Sequence, residues 1–166
     1  MTEITRYGKT IHTSGDLPRV GSAAPDFRLV DMDLNDVTLA TFKGKKKLLN
    51  IVPSLDTPTC ALSTRKFNET AAAFPDAVVL VVSADLPYAQ KRFCTVENTD
   101  RIKALSMMRN RQFARDYGVL VVDGPTEGIT ARAVVVIDAN DRVLYTELVP
   151  EIRQEPDYDK ALAALK

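Results

Sequence analysis

Apolar positions in this chain fall into two patterns. Continuous runs predict a buried strand at Leu48–Val52, a strand at Arg132–Asp138, and at Ala77–Ser83 (AVVLVVS) a strand buried on both faces, as in a sheet covered by helices. Between them the spacing turns helical. A helix is predicted over Pro58–Phe74, stopped at Phe74-Pro75-Asp76, and another over Leu86–Val96, with Leu86, Ala89, Phe93 and Val96 on its apolar side. Ile4–Thr13 alternates and predicts a small hairpin turning near Gly8-Lys9. Phe27–Asp31 and Val37–Leu39 read as short strands, and Phe42–Lys47 as a solvated basic loop. A strand at Lys103–Met108, a helix over Arg111–Tyr117 ended by Gly118, and a strand-like Val119–Asp123 follow. The turn Ala139-Asn140-Asp141 leads into a strand at Val143–Val149, and a last helix spans Tyr158–Leu165. Strands alternating with helices predict an α/β fold with a mixed sheet, organised as one domain over residues 1–166.

Composition narrows the function classes. The chain has 166 residues with 22 Lys plus Arg against 22 Asp plus Glu, which removes a general electrostatic reason to expect nucleic acid or an anionic membrane. Its apolar runs are too short to span a bilayer, and the first residues lack the apolar core of a signal peptide, so a cytoplasmic location is expected. Two cysteines do not make a disulfide scaffold; in a reducing compartment such a pair is more often catalytic or redox-active. With a single histidine, His12, no zinc-like ligand spacing exists, and His12 reads as an ordinary strand residue.

The candidate chemistry sits in Leu48–Asn68. Pro53 ends the strand, and Thr57-Pro58 reads as a helix start, with a hydroxyl residue at the N-cap and proline at the first helical position. Cys60 then falls in the first turn, where unpaired N–H groups and the helix dipole favour an anion. The thiolate is the reactive form of cysteine, so Cys60 is a candidate nucleophile; the alternative is a small buried hydrophobe. Cys94 lies at the edge of the second helix's apolar face, where it either fills that face or serves as a second thiol.

The spacing of Pro53, Thr57 and Cys60 resembles the peroxiredoxin active-site motif. NIVPSLDTPTCALSTRKFN (Asn50–Asn68) and SADLPYAQKRFC (Ser83–Cys94) resemble the two cysteine segments of the bacterial thiol peroxidases, an atypical two-cysteine branch of that family. ARAVVVIDANDRV (Ala131–Val143) and YTELVPEIRQEPDY (Tyr145–Tyr158) extend the likeness over essentially the whole chain. The resemblance implies a thioredoxin-like fold and reduction of hydrogen peroxide or organic hydroperoxides. It implies that Cys60 is the peroxidatic cysteine and Cys94 the resolving one, joined in an intrachain disulfide. Pro53 would shield the sulfur, Thr57 would orient it and donate to the peroxide, and Arg132 would favour the ionised sulfur and hold the peroxide. Residue type alone does not select Arg132 over Arg65 or Arg109. Recycling by thioredoxin and a homodimer are also implied, with no metal, haem or flavin cofactor.

Thioredoxin itself carries two cysteines at this turn. Here Thr57 holds the earlier position, which argues against a general dithiol reductant. A disulfide oxidoreductase and a redox-sensing binding protein remain the alternatives. A disulfide needs Cα atoms within roughly 7 Å, so two cysteines on different helices predict local unwinding before the bond closes. Met107-Met108 departs from the pattern of the resemblance and is expected to be core packing, or else to border the pocket.

Overall fold

The structure, a computed structural model, describes residues 1–166. Thr2–Arg6 (β1) and Lys9–Thr13 (β2) pair as an antiparallel hairpin turning at Tyr7-Gly8. The main sheet contains Leu29–Val30 (β3), Asp36–Val37 (β4), Lys46–Ile51 (β5), Ala77–Ser83 (β6), Ile102–Ser106 (β7), Ala133–Ile137 (β8) and Val143–Leu148 (β9). Their spatial order is β4-β3-β7-β6-β5-β8-β9. Strands β5, β6 and β7 run parallel, and β8 lies antiparallel to β5, so the sheet is mixed as expected.

Alternation along the central strands sorts their side chains onto two faces. Leu49, Ile51, Leu80, Val82, Val135 and Ile137 pack with Phe113 and Tyr117 around the short helix Gln112–Asp116 (α3). Leu48, Val52, Val79, Val81, Val134 and Val136 face the opposite way. They pack against Pro58–Ala71 (α1), Pro87–Val96 (α2) and Tyr158–Ala163 (α4). Parallel strands joined through helices place α1 and α2 on one side of the sheet. Both cysteines belong to this second cluster.

Four expectations need correction. Phe42–Lys47 is not a solvated loop: Leu39–Phe42 forms a 3-10 turn, and Lys46 and Lys47 open β5. Lys47 is fully buried, its ammonium paired with the Asp141 carboxylate, so a charge run was concealing the first rungs of a central strand. Val119–Asp123 forms no strand; it makes only isolated bridges, Thr13 to Val121 and Leu120 to Thr130. The side of α2 marked by Leu86, Ala89, Phe93 and Val96 is largely the exposed one, with Leu86 at 53% and Val96 at 74% exposure. Pro87 and Gln90 are buried instead. Finally, the strand expected at Val37–Leu39 ends at Val37.

Candidate active site

Thr57 is the N-cap of α1 and Pro58 its first residue, which makes Cys60 the third helical residue, in the first turn. The Thr57 hydroxyl does not cap the helix as expected; it donates to the Ser54 carbonyl at 2.9 Å, stiffening the strand-to-helix loop instead. Cys60 has no solvent exposure. Its carbonyl accepts the hydroxyls of Ser63 at 3.1 Å and Thr64 at 2.8 Å, and the buried Asn50 side chain donates to Ser63 at 3.3 Å. This polar cluster beside the cysteine was missed from the sequence, where Asn50 reads as one more residue of a strand.

Over the start of α1 lies a cleft of about 320 Å³. Pro53, Thr57 and Arg132 all line it, so three of the expected site residues meet in one place. Arg132 is not the strand-end surface charge its position allows. It is 2% exposed, its Nε donates to the Ile152 carbonyl at 3.0 Å, and one terminal nitrogen is buried with no partner. An unpaired buried guanidinium nitrogen is costly unless a ligand completes it. The competing arginines are committed elsewhere: Arg65 pairs with Glu97 at 3.0 Å and Arg109 with Asp36 at 3.0 Å. Thr126, Ile129, Ile152, Arg6, Tyr7 and Arg153 complete most of the lining, and none of these was singled out from the sequence.

Cys94 sits on α2, partly buried against the same apolar cluster as Cys60. Burial pushes its thiol above the ordinary range. Both cysteines are free, with no disulfide between them. Met107 is buried in the core on the other face of the sheet, and neither Met107 nor Met108 lines the cleft. His12 stays on its strand, paired with Asp123 at 2.6 Å. No three histidine, cysteine or acidic side chains converge as a metal-ligand set, and no helix is long and apolar enough to cross a membrane.

Residues 19–162 match the redoxin family. The thiol peroxidases of Mycobacterium tuberculosis and Mycobacterium bovis are 55% identical over 165 residues, covering 99% of this chain and of each relative. Among solved structures, a peroxiredoxin-like protein from Aquifex aeolicus superimposes with a TM-score of 0.93 at 39% identity, covering 99% of this chain and 96% of that one. A thiol peroxidase from Chromobacterium violaceum gives 0.92 at 28% identity with the same coverage. A thioredoxin-like sheet with a cysteine at the head of the helix after its central strand, and full-length likeness to thiol peroxidases, place this chain in the redoxin family as a peroxiredoxin-type thiol peroxidase.

Proposed function

We propose that this chain, folded as one domain, reduces hydrogen peroxide and organic hydroperoxides through Cys60 and Cys94 and is recycled by thioredoxin. The observation that carries this is the buried Arg132 guanidinium, with one nitrogen unpartnered, in the same cleft as Pro53 and Thr57 and above the helix start that holds Cys60.

In the first step the Cys60 thiolate attacks the terminal peroxide oxygen. The O–O bond breaks, the sulfur keeps one oxygen as sulfenic acid, and the other leaves as water or an alcohol after taking a proton. Arg132 stabilises the departing oxygen as charge develops on it, and the Thr57 hydroxyl, released from Ser54, donates to the peroxide. Pro53 keeps bulk water from the sulfur. In the second step the Cys94 thiolate attacks the Cys60 sulfur, the S–O bond breaks, water leaves, and a disulfide forms. The dithiol of thioredoxin then reduces it by exchange.

Burial of Cys60 and attachment of the two cysteines to separate helices support local unwinding of α1, α2 or both before the disulfide closes. Exposed Leu86, Tyr88 and Val96 on the Cys94 helix offer an apolar surface against which the reductant can dock. A homodimer and a cytoplasmic location complete the reading.

The test is thioredoxin-coupled peroxide consumption followed by mass analysis of the oxidised chain. Sustained turnover and a loss of two hydrogens mapped to a Cys60–Cys94 bridge are expected. A chain that is oxidised once and then stops, or that forms a bridge between two molecules, would overturn the mechanism.

A further inference from the structure

The cleft is far larger than hydrogen peroxide requires. A water molecule occupies about 30 Å³ of liquid, and a molecule with one more oxygen fills a small fraction of about 320 Å³. The remaining space has a distinct chemistry. Arg6, Arg132 and Arg153 line it, and no aspartate or glutamate does, in a chain whose overall formal charge is zero. None of these three arginines takes part in the ion pairs that occupy Arg28, Arg65 and Arg109.

The outer part of the cleft is built, not incidental. Tyr7 takes a left-handed backbone, φ +52°, at the hairpin turn, a conformation an aromatic residue rarely adopts. Two guanidinium groups lie over its exposed ring, Arg153 4.2 Å and Arg6 4.8 Å from the centroid. The strain is held by Glu151, whose oxygens accept the Tyr7 N–H at 3.1 Å, the Gly8 N–H at 3.3 Å, the Arg153 N–H at 3.4 Å and the Thr5 hydroxyl at 2.5 Å. These four donors occupy the Glu151 carboxylate. On the other side, the Thr59 hydroxyl in the first turn of α1 donates to the Arg153 carbonyl at 2.9 Å. The hairpin, the 150–153 segment and the helix start are therefore tied together around the mouth. A guanidinium held over a ring by cation–π attraction, with no carboxylate paired to it, keeps N–H donors free for an anion.

We propose that Arg6, Tyr7 and Arg153 form a carboxylate subsite, so that the cleft selects organic hydroperoxides whose carbon skeleton ends in a carboxylate. The inference rests on the peroxide-reducing reading of the same cleft. The peroxide end meets Arg132 and Thr57, the carbon skeleton lies along Ile129 and Ile152, and the carboxylate meets Arg6 and Arg153.

The experiment compares 4-hydroperoxy-4-methylpentanoate with its methyl ester, the same skeleton with and without the charge, in the thioredoxin-coupled assay. Wild-type kcat/KM is expected to favour the acid by about tenfold at low ionic strength, the scale of one charge-assisted contact. Added potassium chloride should shrink that preference, because the arginines stand at a solvent-exposed mouth. In the Arg6→Gln, Arg153→Gln double variant the acid-to-ester ratio should fall to about one, whereas Arg6→Lys, Arg153→Lys should retain part of it. Equal wild-type rates for acid and ester, with both consumed, would overturn the subsite while leaving the peroxidase reading intact. An acid preference that survives the double glutamine variant would also overturn it. Failure to consume either compound while hydrogen peroxide is still reduced would overturn the subsite, and failure with hydrogen peroxide as well would bring down both readings.

Discussion

The Asp85 carboxylate accepts the backbone N–H of Leu55 at 2.8 Å, and this bond joins the two segments that carry the cysteines. Leu55 lies in the loop that leads into α1, and Asp85 lies two residues before α2 begins. The same carboxylate accepts the hydroxyls of Ser54 at 2.8 Å and Ser83 at 2.7 Å, and Ser83 in turn accepts from the buried Gln90 amide at 3.1 Å. Hydrogen bonds to a charged group are each worth about 1.5–3 kcal/mol net. Together they hold the arrangement in which both cysteines are free.

Asp85→Ala should therefore act in opposite directions on the two chemical steps. Without the latch, Cys60 loses its ordered surroundings and first oxidation should slow, while closure of the disulfide should speed up, each by roughly tenfold for the loss of about one charged hydrogen bond. Two-phase stopped-flow kinetics separate these rates. A merely destabilised fold would slow both; if both phases keep the wild-type rates, Asp85 does not position either segment.

Arg132→Lys tests the buried guanidinium. Lysine keeps a positive charge but loses the planar donor set and the Nε–H bond to the Ile152 carbonyl. Peroxide reduction should fall by about a hundredfold in kcat/KM, the usual scale for removing a donor to a developing oxyanion. The measurement is single-turnover oxidation of the reduced variant. A rate within about twofold of wild type would mean that charge alone suffices and geometry is idle.

His12 ties the hairpin to the loop that carries Thr126 of the cleft. Its hydrogen bond to Asp123 is the main cause raising it above 6.5, and the same bond holds Asp123 below 3.8. The histidine contribution is full below 6.5 and is lost as pH rises through the raised value. The Asp123 contribution is present above 3.8 and is lost as pH falls through the lowered one. The Tm difference between wild type and His12→Gln should thus be larger near about pH 5.5 than near about pH 8.5. Equal differences at the two values would show that the pair carries no net charge interaction.

Much of this could be read from the residues. The continuous apolar runs gave β5, β6 and β8 because a strand covered on both faces has no polar side to break its pattern. Proline after threonine marked the start of α1 correctly, because a pyrrolidine at the first helical position needs no donor. What failed, failed where a long-range partner decides. Lys47 reads as surface until Asp141, 94 residues later, neutralises it inside the sheet. The buried face of α2 is hidden in the sequence because Gln90, a polar residue, is buried through its bonds to Ser83 and the Leu105 carbonyl on neighbouring strands. The Thr57 hydroxyl was expected to cap and instead found the nearer Ser54 carbonyl. Arg6, Tyr7 and Arg153 carry no local motif. Only the pairing of the hairpin with residues 150–152 brings them together.

The central claim is that one sulfur, Cys60, takes oxygen from peroxide and a second, Cys94, resolves it. The most direct measurement is the stoichiometry of peroxide consumed by wild type, Cys60→Ser and Cys94→Ser, each fully reduced, with and without thioredoxin. Wild type should turn over only with thioredoxin present, Cys94→Ser should consume one equivalent and then stop, and Cys60→Ser should consume none. Normal consumption by Cys60→Ser would contradict the account.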